Sequence, residues 1–179
     1  MSPLQVEGKP DHSRCILMYA GGLSELKGVP ELLAAFAMLD NAQLELWITG
    51  RGPLEGMVHA AAARDARITY WGFPSEAKLH ELYGRADILV NPHSASIGSA
   101  RYLFPSKLIE YMATGLPVVS TCSTPELRAR YGEFAVVSCG NGPADLAADL
   151  RRVANMSSAE RSTIGRNGRS FVIQVKSWH

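Results

Sequence analysis

Short apolar runs alternate along this chain with stretches in which apolar residues recur every three to four positions. Residues 15–20 are apolar and stop at Gly21-Gly22, which predicts a buried strand. Val29, Leu32, Leu33, Phe36 and Leu39 then fall at helical spacing and predict a helix. The pattern repeats: a strand over 44–49, a helix over 54–63, a short strand over 68–70, and a helix with Leu79, Leu82 and Tyr83 that Ser75 can cap. A strand over 88–91, a helix from about Ser106 and a strand over 117–120 follow. Residues 125–131 read as a short helix and 135–138 as a last strand. Leu146, Leu150 and Val153 mark a helix from about Pro143, and Ser157 with Glu160 forms the capping box of one more. Strict alternation of strand and helix implies an α/β fold, a doubly wound, Rossmann-like parallel sheet covered on both faces. Loops after the strands of such a sheet share one rim, where ligands bind. That rim collects Gly21-Gly22, residues 50–53, 71–73, 91–106 and 120–124.

Residues 1–13 have no period and contain Pro3, Gly8 and Pro10, so they read as a linker, with one domain over 14–179. Hydrophobic residues make up 46% and charged residues 20%, the balance of a soluble globular chain rather than a disordered one. A formal charge of +1 argues against nucleic acid as a partner. Cys15, Cys122 and Cys139 are odd in number and lack a Cys-x-x-Cys pair, which disfavours disulfides and zinc and favours a reducing, cytoplasmic setting. No apolar run reaches the ~20 residues of a membrane span. No two histidines are spaced as a metal pair, and His93 alone lies in a rim loop.

The chemistry concentrates in Phe104-Pro105-Ser106-Lys107-Leu108-Ile109-Glu110-Tyr111-Met112-Ala113-Thr114-Gly115-Leu116-Pro117-Val118-Val119-Ser120. Pro105 and Ser106 suit a helix start, Gly115 a left-handed stop, and Pro117 cannot continue a helix. Leu108, Ile109 and Met112 share one face, Lys107 and Glu110 another. Free N–H groups at such a helix start favour a phosphate, and a nearby carboxylate can accept hydrogen bonds from sugar hydroxyls. Lys107 and Glu110 read equally as an ordinary surface ion pair. Gly21-Gly22 lets a diphosphate approach the backbone, or serves a plain turn.

The 104–120 segment resembles the donor-side signature of GT-B glycosyltransferases of the group 1 (family 4) type. Four further segments agree in order: Tyr19-Ala20-Gly21-Gly22-Leu23 with Lys27-Gly28, Ile48-Thr49-Gly50-Arg51-Gly52-Pro53, Tyr70-Trp71-Gly72-Phe73, and Leu82-Tyr83-Gly84-Arg85-Ala86-Asp87-Ile88-Leu89-Val90-Asn91-Pro92. The resemblance implies the C-terminal half of a GT-B fold, binding a nucleotide diphosphate sugar in a cleft closed by a partner domain. It implies that Lys27 contacts the donor phosphates, that the loop of Trp71, Gly72 and Phe73 lines the base pocket, and that Glu110 holds the ribose. Gly21, Gly22, Gly50, Gly52, Tyr102, Phe104, Pro105, Ser106 and Lys107 complete the implied binding set, with Lys27 and Glu110 as the catalytic pair. The implied reaction retains anomeric configuration and requires neither cofactor nor metal. The implied partners are the nucleotide sugar and an N-terminal acceptor domain, through which any peripheral membrane contact would run. The fragment by itself is expected to be inactive.

Two positions depart from the family pattern. Gly22 stands where the family often has Arg, and Tyr102, eight residues before Glu110, stands where it has a glutamate that contacts the sugar. Arg51 and Arg101 are candidates for the missing cation. A GT-B sugar-nucleotide 2-epimerase and a non-catalytic nucleotide-sugar-binding or scaffold module are the alternative functions. A generic NAD-binding domain is disfavoured because Gly-x-Gly-x-x-Gly does not follow the first strand.

Overall fold

Apolar runs bounded by glycine and proline become strands because both faces of a parallel sheet are covered. In a computed structural model of the chain, which describes residues 14–92, 106–121, 136–138 and 142–176, six such runs form one sheet. The strands are β1 (Cys15–Ala20), β2 (Leu44–Thr49), β3 (Ile68–Tyr70), β4 (Ile88–Asn91), β5 (Val118–Thr121) and β6 (Val136–Ser138). Their spatial order is β3-β2-β1-β4-β5-β6, and every neighbouring pair is parallel. This is the doubly wound arrangement, with its switch point between β1 and β4.

Among the described residues, six α-helices cross between or follow the strands: α1 (Val29–Ala37), α2 (Glu55–Arg64), α3 (Glu76–Arg85), α4 (Ser106–Ala113), α5 (Pro143–Ala154) and α6 (Ser158–Lys176). The period-two alternation of strand side chains divides the core into two layers. Leu17, Tyr19, Leu46, Ile48, Ile88 and Val90 face α1 and α5, with Phe36, Leu146 and Leu150 buried among them. Ile16, Met18, Trp47, Leu89 and Val118 face the other way, against Leu82, Leu108, Tyr111, Met112 and Val172. The expected caps are present. Ser75 accepts from the Lys78 N–H at 3.3 Å, and the Ser157 N–H donates to Glu160 at 2.8 Å.

Differences from the sequence reading are small and have local causes. Helix α1 ends at Ala37 rather than near Leu39, because the N–H groups of Met38 and Leu39 donate to Ala35 and Phe36 in a tighter last turn. Leu39 is buried all the same. A 3-10 turn at Glu25–Lys27 precedes α1. Gly115 stops α4 with φ +81°, as expected. Ile109 is only half-buried, and Tyr111 joins Leu108 and Met112 inside. The helix read at 125–131 lies outside the described residues.

The rim after β2 depends on the absence of a Cβ where it meets the β1 loop. Gly50 has φ +136°, and a Cβ added there would lie 1.8 Å from the Gly21 carbonyl oxygen. Gly56, on α2, has open space around it. Gly50→Ala is therefore expected to cost about 2–4 kcal/mol in a urea unfolding experiment. Gly56→Ala is expected to be neutral or to stabilise by up to about 1 kcal/mol. A Gly50→Ala protein as stable as the parent would show that the two loops do not meet in this way.

Candidate functional site

The even-numbered residues of β1 turn their backbone groups toward β4. At the start of the strand, the Ile16 N–H donates to the Asp87 carboxylate at 2.8 Å, and the Asp87 N–H donates to the Ile16 carbonyl at 2.8 Å. Met18 pairs with Leu89, the last partners of the two strands. β4 stays paired with β5 to its end, where the Asn91 side-chain amide donates to Ser120 Oγ at 3.0 Å. Ala20 is left facing the gap.

Tyr111 of α4 fills the floor of that gap. Its hydroxyl accepts from the Ala20 N–H and donates to the Ala20 carbonyl, both at 2.8 Å. The side chain is almost wholly buried, and its phenol is held well above the ordinary tyrosine value by loss of water. It therefore stays neutral and keeps its donor. The Tyr83 ring lies edge-on to it at 6.3 Å. Burial first, and the Glu110 charge second, push the Tyr83 phenol up to about 12.

On the outer side of the same helix, Lys107 and Glu110 pair at 2.9 Å through one carboxylate oxygen. The Glu110 side chain is 62% exposed, so this pair contributes little to stability and leaves the carboxylate accessible to a ligand. The sequence placed these two residues together correctly. Ser106 begins α4 and is exposed. Arg101, Tyr102, Phe104, Pro105 and His93 lie outside the described residues.

The three loops after β1, β2 and β3 are laced into one edge. The Gly21 N–H donates to Thr49, the Leu23 N–H to Arg51, the Gly50 N–H to Gly72 and the Trp71 N–H to Ile48, at 2.7–3.1 Å. The Tyr70 hydroxyl donates to the Gly50 carbonyl at 2.8 Å, and the Gly52 N–H donates to Glu55 at 3.1 Å. On the other side of the β1 loop the Tyr19 hydroxyl donates to the Gly22 carbonyl at 2.7 Å. The N–H groups of Gly22 and Gly72 have no acceptor among the described residues. Lys27, half-buried at the end of the 3-10 turn, makes no side-chain hydrogen bond or ion pair among them. The rim thus offers backbone donors and a cation, the complement of a phosphate-bearing anion.

Trp71 and Phe73, equivalent in the sequence reading, occupy different places. Trp71 packs inward, edge to face with Trp47 at 5.4 Å and beneath the Lys78 ammonium at 5.2 Å. Its indole N–H is buried without a partner among the described residues. Phe73 points out, 66% exposed, with the Arg51 guanidinium 4.6 Å from its ring centre. Arg51 is thus placed on the rim as a cation stacked on an aromatic face. Among the described residues no group of three His, Cys, Asp or Glu side chains could hold a metal ion, and no helix is long and apolar enough to cross a membrane.

Two residues of this site escaped the sequence reading, Tyr19 and Tyr111. The available signal was a hydroxyl-bearing side chain at a core position, since a buried tyrosine oxygen needs a partner.

The fold is shared with solved glycosyltransferases. Anabaena HepE in complex with UDP and glucose matches with a TM-score of 0.73 and 18% identity, over 90% of this chain and 44% of that one. Sucrose-phosphate synthase from Thermosynechococcus elongatus matches with a TM-score of 0.70 and 25% identity, over 90% and 41%. The C-terminal domain of a glycosyl transferase group 1 family protein, LpcC from Francisella tularensis, matches with a TM-score of 0.66 and 20% identity, over 92% and 86%. The chain thus spans less than half of the HepE chain but nearly the whole of the LpcC domain. No curated protein sequence matches it. The family profile described as glycosyl transferases group 1 matches residues 14–156, most of the chain, and with the sheet order and the rim glycines in agreement this protein belongs to the group 1 glycosyl transferases.

Proposed function

We propose that this chain is the donor-binding half of a retaining, metal-independent glycosyltransferase that transfers a glycosyl group from a nucleotide diphosphate sugar to an acceptor. The observation that carries the reading is the Tyr111–Ala20 contact. It ties the helix of Lys107 and Glu110 to the end of β1, two residues before the Gly22 N–H that has no acceptor among the described residues, at the switch point where doubly wound sheets take nucleotides.

In this reading Glu110 accepts hydrogen bonds from the ribose hydroxyls and so fixes the donor. The base lies along the Gly72–Phe73 edge, where Phe73 and Arg51 present an exposed ring and a guanidinium. The diphosphate meets the Gly22 N–H, Lys27 and the N-terminus of α4. As the bond from the anomeric carbon to the diphosphate oxygen breaks, negative charge grows on the leaving group. Fixed donors and the Lys27 ammonium stabilise that charge without the reorganisation that water would require. Arg51 supplies part of the positive charge that Gly22 lacks. HepE, captured with UDP and with UDP-glucose, supports a uridine donor by likeness of fold. The acceptor and the second wall of the cleft come from a partner domain, so the chain alone gives no turnover. A cytoplasmic location accompanies this reading.

Glu110→Gln tests the ribose contact. Calorimetry with UDP is expected to show a loss of about 1–3 kcal/mol in binding, the scale of a charged hydrogen bond. Pyrophosphate, which has no ribose, is expected to bind both proteins equally, and the melting temperature to stay unchanged. A lower melting temperature with unchanged UDP affinity would instead make Glu110 the structural half of a surface pair.

Metal independence has its own test. UDP is expected to bind with the same affinity in EDTA and in magnesium, because backbone donors and Lys27 neutralise the diphosphate. Binding that disappears in EDTA would refute this part of the mechanism.

A further inference from the structure

The end of β1 is held from both faces of the sheet by phenols that the mechanism above does not use directly. Tyr111 comes from the layer beneath α4, and its single hydroxyl satisfies both the N–H and the carbonyl of Ala20. Tyr19 lies in the opposite layer, and its hydroxyl reaches the Gly22 carbonyl. A Cβ added at Gly21 would lie 2.8 Å from the Tyr19 oxygen, so the phenol turns back beneath Gly21. With the Gly21 and Leu23 N–H groups bonded to Thr49 and Arg51, the Gly22 N–H between them has no acceptor among the described residues. Tyr111 also follows Glu110 directly in the chain, so its anchor ties the helix that carries the carboxylate to the loop that carries the free donor.

We propose that Tyr111 and Tyr19 are positioning residues for donor binding, whose buried hydroxyls fix the spacing between the Gly22 N–H and the Glu110 carboxylate so that one ligand bridges both. The inference rests on the donor-binding reading given above. Neither hydroxyl touches the ligand. Each acts through backbone it holds, and a bridged ligand gains only if the two contacts are set at a fixed separation before it arrives.

The test is a double-mutant cycle on the 179-residue chain with UDP as the probe, at a temperature where circular dichroism shows every variant folded. Tyr111→Phe keeps the ring and removes only the anchor. It is expected to weaken UDP binding about fivefold to twentyfold, the effect of losing a preorganised hydrogen-bonded contact. In that background Glu110→Gln is expected to weaken UDP less than about twofold, because an unanchored carboxylate contributes little to binding. A folded Tyr111→Phe protein with unchanged UDP affinity, or one in which the full Glu110→Gln effect persists, overturns the proposal. If Glu110→Gln is silent in the parent, the ribose contact falls and the proposed bridge falls with it, whereas an effective Glu110→Gln beside a silent Tyr111→Phe leaves the ribose contact standing and overturns only the positioning. If Tyr111→Phe does not fold, Tyr19→Phe decides. Its loss of the Gly22 anchor is expected to weaken UDP at least about threefold by the same reasoning, and unchanged affinity there overturns the proposal.

Discussion

A parallel sheet that divides must satisfy the backbone groups exposed by the division, and here a single phenol does so. Ala20 would face Asn91 if β1 and β4 stayed paired, but pairing ends at Met18 and Leu89. Its N–H and carbonyl are buried, and leaving either without a partner would cost about 1–3 kcal/mol. The Tyr111 hydroxyl takes both. The strands can therefore separate with the crevice floor closed and its upper edge open. The position of α4 follows from that contact, and with it Lys107 and Glu110. Doubly wound sheets place ligands at this crevice, and the Tyr111 anchor makes it a defined cavity edge in this chain rather than a gap.

The rest of the rim is built from backbone. N–H to carbonyl bonds link the loops after β1, β2 and β3, and the link between the first two requires the bare Cα of Gly50. Such an edge is rigid where the carbonyls are satisfied and can receive a ligand where donors remain, as at Gly22 and Gly72 among the described residues. Lys27 and Arg51 add charge around those donors. The chain shares its fold with HepE but spans only 44% of that chain, so the proposed function seeks its acceptor site elsewhere.

Much of this was legible in the sequence. Strands β1, β2, β3 and β4 coincide with the apolar runs, because a strand buried on both faces must be apolar throughout and glycine or proline marks its end. The Ser157–Glu160 box and the Gly115 stop were readable because capping depends on residues three or fewer positions apart. The Lys107–Glu110 pair followed from helical spacing. Tyr111 was not legible, since its partner is 91 residues away and helical period says nothing about what a hydroxyl meets. Nor could spacing distinguish Trp71 from Phe73. Both flank Gly72, and only the packing of Trp47 against one of them turns that ring inward. The loop from 93 to 105, with Tyr102 and Phe104, is outside the described residues, so its predicted contacts remain expectations.

The central claim is that the ligand edge lies at the carboxyl end of β1, beside α4. The most direct measurement is a titration of the isotope-labelled chain with UDP, followed by backbone amide chemical shifts. Progressive shifts are expected at Gly22, Gly72 and Lys107 to Tyr111, with Gln43, Asp87 and the other amides at the opposite end of the strands unmoved. Shifts confined to that opposite end, or an unmoved Gly22 and Glu110 at saturating UDP, would contradict the account.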